Sequence, residues 1–170
     1  GTLHADLAAD ALHGGQAGTA DSPHAMALLF ALDRHAAVGE LADLTRSNDI
    51  VLLDRYVASN AAYTAARLGA ARAEEAIDWI DALEFDTLAL PVPDLQILLD
   101  TPVELAAERA GSREAQDPGR TRDRYERDRT LQSDTATAYR RLAEASWRSP
   151  WTVLGPQPDV PALVDLVVGT

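Results

Sequence analysis

The chain predicts an α/β fold, a mostly parallel sheet flanked by helices. Short aliphatic runs bounded by polar or turn residues read as strands covered on both faces, and longer Ala/Leu/Arg/Glu-rich stretches between them read as helices. Strands that alternate with helices imply βαβ crossovers. Size agrees: 170 residues, 46% hydrophobic and 25% charged, suit one domain with a buried core.

Taken in order, residues 3–13 read as a helix ended by His13-Gly14-Gly15-Gln16-Ala17-Gly18, and residues 24–44 as a second helix. Ile50–Asp54 is the first expected strand, followed by helices over 56–68 and 72–83. Leu90-Pro91-Val92-Pro93 leads into the second expected strand, Asp94–Asp100. Thr101 then caps a helix over 102–114, with Pro102 at its first position. The turn Asp117-Pro118-Gly119 precedes a helix over 124–147, Trp151–Gly155 is the third expected strand, and residues 160–168 form the last helix. With no internal repeat and no low-complexity tract, residues 1–170 read as a single domain.

Composition narrows the function. Cysteine is absent, which removes disulfides, thiolate metal sites and thiol catalysis. No apolar run reaches membrane-spanning length and no signal peptide is read. A net charge of −12 opposes sequence-independent nucleic-acid binding and adhesion to anionic membranes, so a cytoplasmic setting is expected, with neither nucleic acid nor membrane as partner. All fifteen basic residues are arginine. Arginine grips phosphate bidentately, but the phosphate loop GxxxxGK[ST] needs a lysine that this sequence does not contain.

Three clusters could carry chemistry. Tyr56, Asn60, Tyr63 and Arg67 share one helical face directly after Asp54-Arg55, at the carboxyl end of an expected strand, where α/β proteins bind ligands. The amide, phenols and guanidinium suit a nucleotide; a solvated polar face beside an Asp54–Arg55 ion pair is the alternative. Phe30 and Arg34, four apart, could stack on a base and donate to its carbonyl, or pack in the core and pair at the surface. Seven arginines fall between Arg109 and Arg129, interleaved with acids, which suits either a mobile phosphate clamp or a helix laced with salt bridges. His4, His13, His24 and His35 lack metal-ligand spacing, and no G-x-S-x-G elbow occurs.

The run Leu52-Leu53-Asp54-Arg55-Tyr56-Val57-Ala58-Ser59-Asn60-Ala61-Ala62-Tyr63-Thr64 resembles the central motif of bacterial thymidylate kinases, most closely the actinobacterial and mycobacterial type. Three further pieces match in the same order. They are Phe30-Ala-Leu-Asp-Arg34, the strand Pro93–Asp100 with Glu104 and Arg109 on the next helix, and the arginine-rich stretch from Arg113 through Asp117-Pro118-Gly119-Arg120 to Glu126. The resemblance implies a nucleoside-monophosphate-kinase-like parallel sheet and transfer of the ATP γ-phosphoryl group to dTMP with Mg²⁺. The product is dTDP, on the route to dTTP.

It also implies residue roles. Phe30 would stack on thymine, Arg34 would contact its O4, and Asn60 would hydrogen-bond the base. Arg55 would bind the acceptor phosphate, Asp54 would orient the site, and Ser59 and Arg67 would line the acceptor pocket. Tyr63 would crowd a 2′-hydroxyl. In a LID of about residues 109–126, Arg113 and Arg120 would reach ATP phosphates. Asp123, Tyr125 and Glu126 would face the site, Glu126 near Mg²⁺. A homodimer is implied as well.

The match begins after the family's P-loop, its strand, and the second strand with the acceptor-phosphate loop. The expectation is therefore a sheet without its first two strands and 170 residues that are not a competent kinase by themselves. The alternatives are a non-catalytic nucleotide-binding module, or a related nucleotide kinase with another acceptor.

Overall fold

The computed structural model describes residues 2–13, 17–116, 125 and 128–168, without the side chains of 17 and 113–116. Three of its helices start where side-chain oxygens cap exposed amides. Thr2 accepts from the Ala5 N–H to open α1 (Leu3–Leu12). Ser22, followed by Pro23, accepts from Ala25 to open α3 (Pro23–Ala36), after the short α2 (Ala17–Asp21). Asp128 accepts from Leu131 to open α8 (Arg129–Glu144).

The helix expected over 24–44 is two helices. At Ala37 the backbone N–H turns to the Arg34 carbonyl at 3.0 Å, and α4 (Val38–Ser47) departs from there.

The core forms around α5 (Val57–Leu68). Its face of Val57, Ala61, Ala62 and Ala65 is fully buried, and alanine lets neighbouring helices approach closely. Gly69, at φ +82°, ends the helix in a conformation that disfavours a side chain, and its N–H closes on the Ala65 carbonyl. A 3₁₀ turn, Ala70–Arg72, leads into α6 (Ala73–Asp81). From there the expected helix widens into a π-helical turn, Ala82–Thr87. Ala27 of α3, Ala76 and Ile80 of α6, and Ala138 and Leu142 of α8 complete this core. Burying a side chain such as Leu142 stabilises by about 2 kcal/mol.

The sheet is small and parallel. β1 (Gln96–Leu99) pairs with β2 (Trp151–Leu154) in the register Gln96↔Trp151 to Leu99↔Leu154. α7 (Val103–Gln116) and α8 lie between them in sequence, and α9 (Val160–Val168) follows. Arg140 of α8 grips Asp100, just after β1, through both carboxylate oxygens at 2.8–3.1 Å.

Ile50–Asp54 is not a strand. Among the described residues only β1 and β2 form a ladder, so its backbone has no strand to pair with. Its apolar side chains lie open, with Leu52 84% exposed. No helix among the described residues is long and apolar enough to cross a membrane.

Candidate functional site

The N-terminal half of α5 carries most of the expected site, and two neighbours complete it. On one side lies α3. Arg34, in its last turn, forks onto Glu84 of the π-helical turn, with Nε to Oε2 at 2.6 Å and Nη2 to Oε1 at 2.8 Å. Glu84 is 0% exposed. Asn60, also buried, donates from Nδ2 to the same Oε1 at 2.7 Å and to the Ala27 carbonyl at 2.9 Å. Two residues expected at the base thus meet on one buried carboxylate. Breaking such a pair by removing one partner costs several kcal/mol, because a charge is left stranded.

Glu84 was missed by sequence reasoning, although a signal was present. Ala73, Ala76 and Ile80 form the buried stripe of α6, and position 84 continues it. An acid on that stripe needs a cation.

On the other side stands a column of aromatic rings and guanidinium groups. Tyr63 and Tyr125 stack with centroids 5.9 Å apart and planes 20° apart. The Arg55 guanidinium lies 5.6 Å from the Tyr63 centroid, and that of Arg67 lies 4.9 Å from the Tyr125 centroid. Arg67 also donates to the Tyr125 hydroxyl and the Ala20 carbonyl. Gln132 of α8 donates to the Tyr125 carbonyl at 2.9 Å and lies 3.4 Å from the Tyr63 hydroxyl. Phe30 packs half-buried on the cluster of Ala8, Ala11, Met26 and Leu131 that also supports Tyr63. A cleft of about 310 Å³ opens beside Arg67 and Tyr125, edged by Asp21, Asp128 and Asp134.

Arg55 occupies the left-handed region, at φ +68°. Among the described residues it makes no ion pair, and Asp54 beside it makes none either. The alternative Asp54–Arg55 pair is therefore not formed. Ser59 is half-buried, and its hydroxyl meets that of Tyr139. Tyr56 begins the helix and donates to the Pro91 carbonyl at 3.1 Å; burial pushes its phenol up to about 12.

The structure therefore gathers Arg34 with Asn60, and Arg55, Tyr63, Arg67 and Tyr125 with one another. Arg120, Asp123 and Glu126 lie outside the described residues, as does the Arg113 side chain, although its backbone belongs to α7. In the N-terminal part of the expected LID, Arg109 donates to the Pro156 carbonyl at 3.2 Å. No three His, Asp or Glu side chains among the described residues gather as a metal site.

Comparison with known proteins gives a consistent result. The thymidylate kinase family profile matches residues 1–160. The thymidylate kinase of Mycobacterium tuberculosis, from strains CDC 1551 and H37Rv, is 52% identical over 158 residues, which span 93% of this chain and 74% of that protein. "Probable thymidylate kinase 1" of Saccharolobus solfataricus is 37% identical over 89 residues, 52% of this chain and 42% of that protein.

Proposed function

We infer the function from one premise: the chain belongs to the thymidylate kinase family. The activity that follows is transfer of the ATP γ-phosphoryl group to dTMP. The observation that carries this reading is the arrangement along α5. One flank offers Asn60 and Arg34, held together on Glu84, and the other offers Arg55 over Tyr63 with no carboxylate in ion-pair contact among the described residues. The first flank suits a base edge and the second an acceptor phosphate.

On this reading Phe30 offers a ring face to thymine and Tyr63 fills the space beside C2′ of the sugar. Arg55 binds the 5′-phosphate, with Asp54, Ser59 and Arg67 around it. Phosphoryl transfer asks a protein for alignment and charge compensation rather than covalent chemistry. Arg55 supplies both on the acceptor side. Arg113 and Arg120 supply charge on the donor side, and Asp123, Tyr125 and Glu126 close the site. ATP and Mg²⁺ belong to the same reading; Glu126 would hold the metal, which compensates phosphate charge when bound. The donor phosphates need a glycine-rich cradle of the GxxxxGK[ST] kind, which the 170 residues do not contain, so by themselves they bind dTMP without turning it over. A homodimer and a cytoplasmic setting complete the proposal.

Calorimetric titration of dTMP, with AMP as control, tests the reading, together with chromatographic assay of dTDP from ATP, Mg²⁺ and dTMP. Saturable heat with dTMP alone and no dTDP is the expected result. Binding of AMP in preference to dTMP would favour a kinase for another acceptor, and silence with both would remove the acceptor pocket.

A further inference from the structure

The hydrogens at the Asn60–Glu84–Arg34 contact determine what that contact can still bind. The Asn60 amide has two N–H groups, and both are taken, by the Ala27 carbonyl at 2.9 Å and Glu84 Oε1 at 2.7 Å. Both neighbours only accept. Turning the amide over would set its oxygen against two other oxygens, so its orientation is fixed and Oδ1 is the one group left to offer. Arg34 spends its Nε hydrogen and one Nη2 hydrogen on the same carboxylate, at 2.6 and 2.8 Å, which leaves three N–H groups, two on Nη1 and one on Nη2. Because Asn60 and Arg34 share Oε1, the remaining acceptor and the remaining donors come from side chains anchored on a single atom.

We propose that Glu84 is a positioning residue that sets base specificity: it turns Asn60 and Arg34 so that together they read a ring N–H beside a carbonyl. This rests on the proposed dTMP reading and deepens it. Thymine carries that edge as N3–H and O4. Cytosine, a ring of the same size, carries the reverse, a bare N3 beside an amino group. Against this site it would set acceptor to acceptor and donor to donor, and unpaired polar groups in a buried site are strongly discriminating. Guanine has the thymine polarity on a larger ring system, so cytosine gives the cleaner comparison. Glu84 reaches neither base nor phosphate in this scheme; it acts only through the two side chains it holds. The π-helical turn matters here, since the widened backbone from Ala82 to Thr87 carries the carboxylate at the end of the buried stripe of α6.

The test is calorimetric titration of dTMP, dCMP and N3-methyl-dTMP into the unmodified chain and into Glu84→Gln, with circular dichroism and thermal melting to establish folding. The unmodified chain should bind dTMP at least roughly tenfold more tightly than either other ligand. Glutamine can keep Asn60 and Arg34 Nη2 on its oxygen only by setting its own amide N–H groups against the Arg34 Nε–H, so it cannot hold both side chains as the carboxylate does, and Glu84→Gln should bring the dTMP:dCMP ratio towards one. Glu84→Asp keeps the buried charge while shortening its reach, and should move the ratio the same way by a smaller factor if the glutamine variant does not fold. Equal binding of dTMP and dCMP by the unmodified chain, or an unchanged ratio in a folded variant, would overturn the role of Glu84 alone. Failure of the unmodified chain to bind dTMP would remove the parent reading with it.

Discussion

The hydroxyls of Ser59 and Tyr139 meet 2.5 Å apart across the contact between α5 and α8. Burial pushes the Tyr139 phenol up, and the bond from Ser59 acts in the opposite sense. A residue expected at the ligand thus joins two core helices.

Ser59→Ala should leave the Tyr139 hydroxyl without its partner and cost about 1–3 kcal/mol of folding stability. Tyr139→Phe removes the other half. If the bond is the coupling, the double variant costs less than the sum of the singles, by more than about 0.5 kcal/mol. Urea denaturation of the four proteins measures this, and additive losses would mean that each hydroxyl works alone.

Arg55 stands at φ +68°, where a side chain costs roughly 1–2 kcal/mol of backbone strain. Arg55→Gly relieves that strain and removes the cation beside Tyr63. Folding stability should change by no more than about 1 kcal/mol, since the glycine gains conformational freedom when unfolded. Affinity for dTMP should fall at least roughly tenfold, while affinity for thymidine, which lacks the phosphate, should hold. Parallel losses for both ligands would refute the phosphate role.

Tyr56 gives the alkaline limb of stability a defined sign. Its phenol is pushed up to about 12 by burial, against an ordinary value of 10.0, so the folded chain keeps a proton that the unfolded chain releases. The associated stability is complete below about pH 10 and drains away as pH rises towards 12. Tyr56→Phe should flatten that decline in denaturation midpoints measured across the alkaline range. An equally steep decline in the variant would assign it to other groups.

Most helices were legible because their signals are local. Ser22-Pro23 starts α3, Gly69 stops α5, and apolar spacing marks the buried faces. The strand over Ile50–Asp54 failed for the opposite reason: an aliphatic run announces burial, but a ladder needs a neighbour that local pattern cannot supply. Ala37 hid the break between α3 and α4, because alanine is the best helix former and carries no stop signal. At the site, the helical spacing of Asn60, Tyr63 and Arg67 was readable from sequence. The pairings were not, since Glu84 and Tyr125 are remote in the chain and meet these side chains only through tertiary packing, even though the stripe of α6 marks Glu84 as a buried acid and the resemblance puts Tyr125 at the site.

For these 170 residues by themselves, the exposed run from Ile50 to Leu53 implies a salt-dependent tendency to associate. At low ionic strength the net charge of −12 holds neighbouring molecules apart and masks the adhesive stripe. Near 0.15 M salt the repulsion decays within about 8 Å, and an exposed apolar segment outside the strand ladder of the described residues is then free to associate. Raising salt would therefore promote association of these 170 residues.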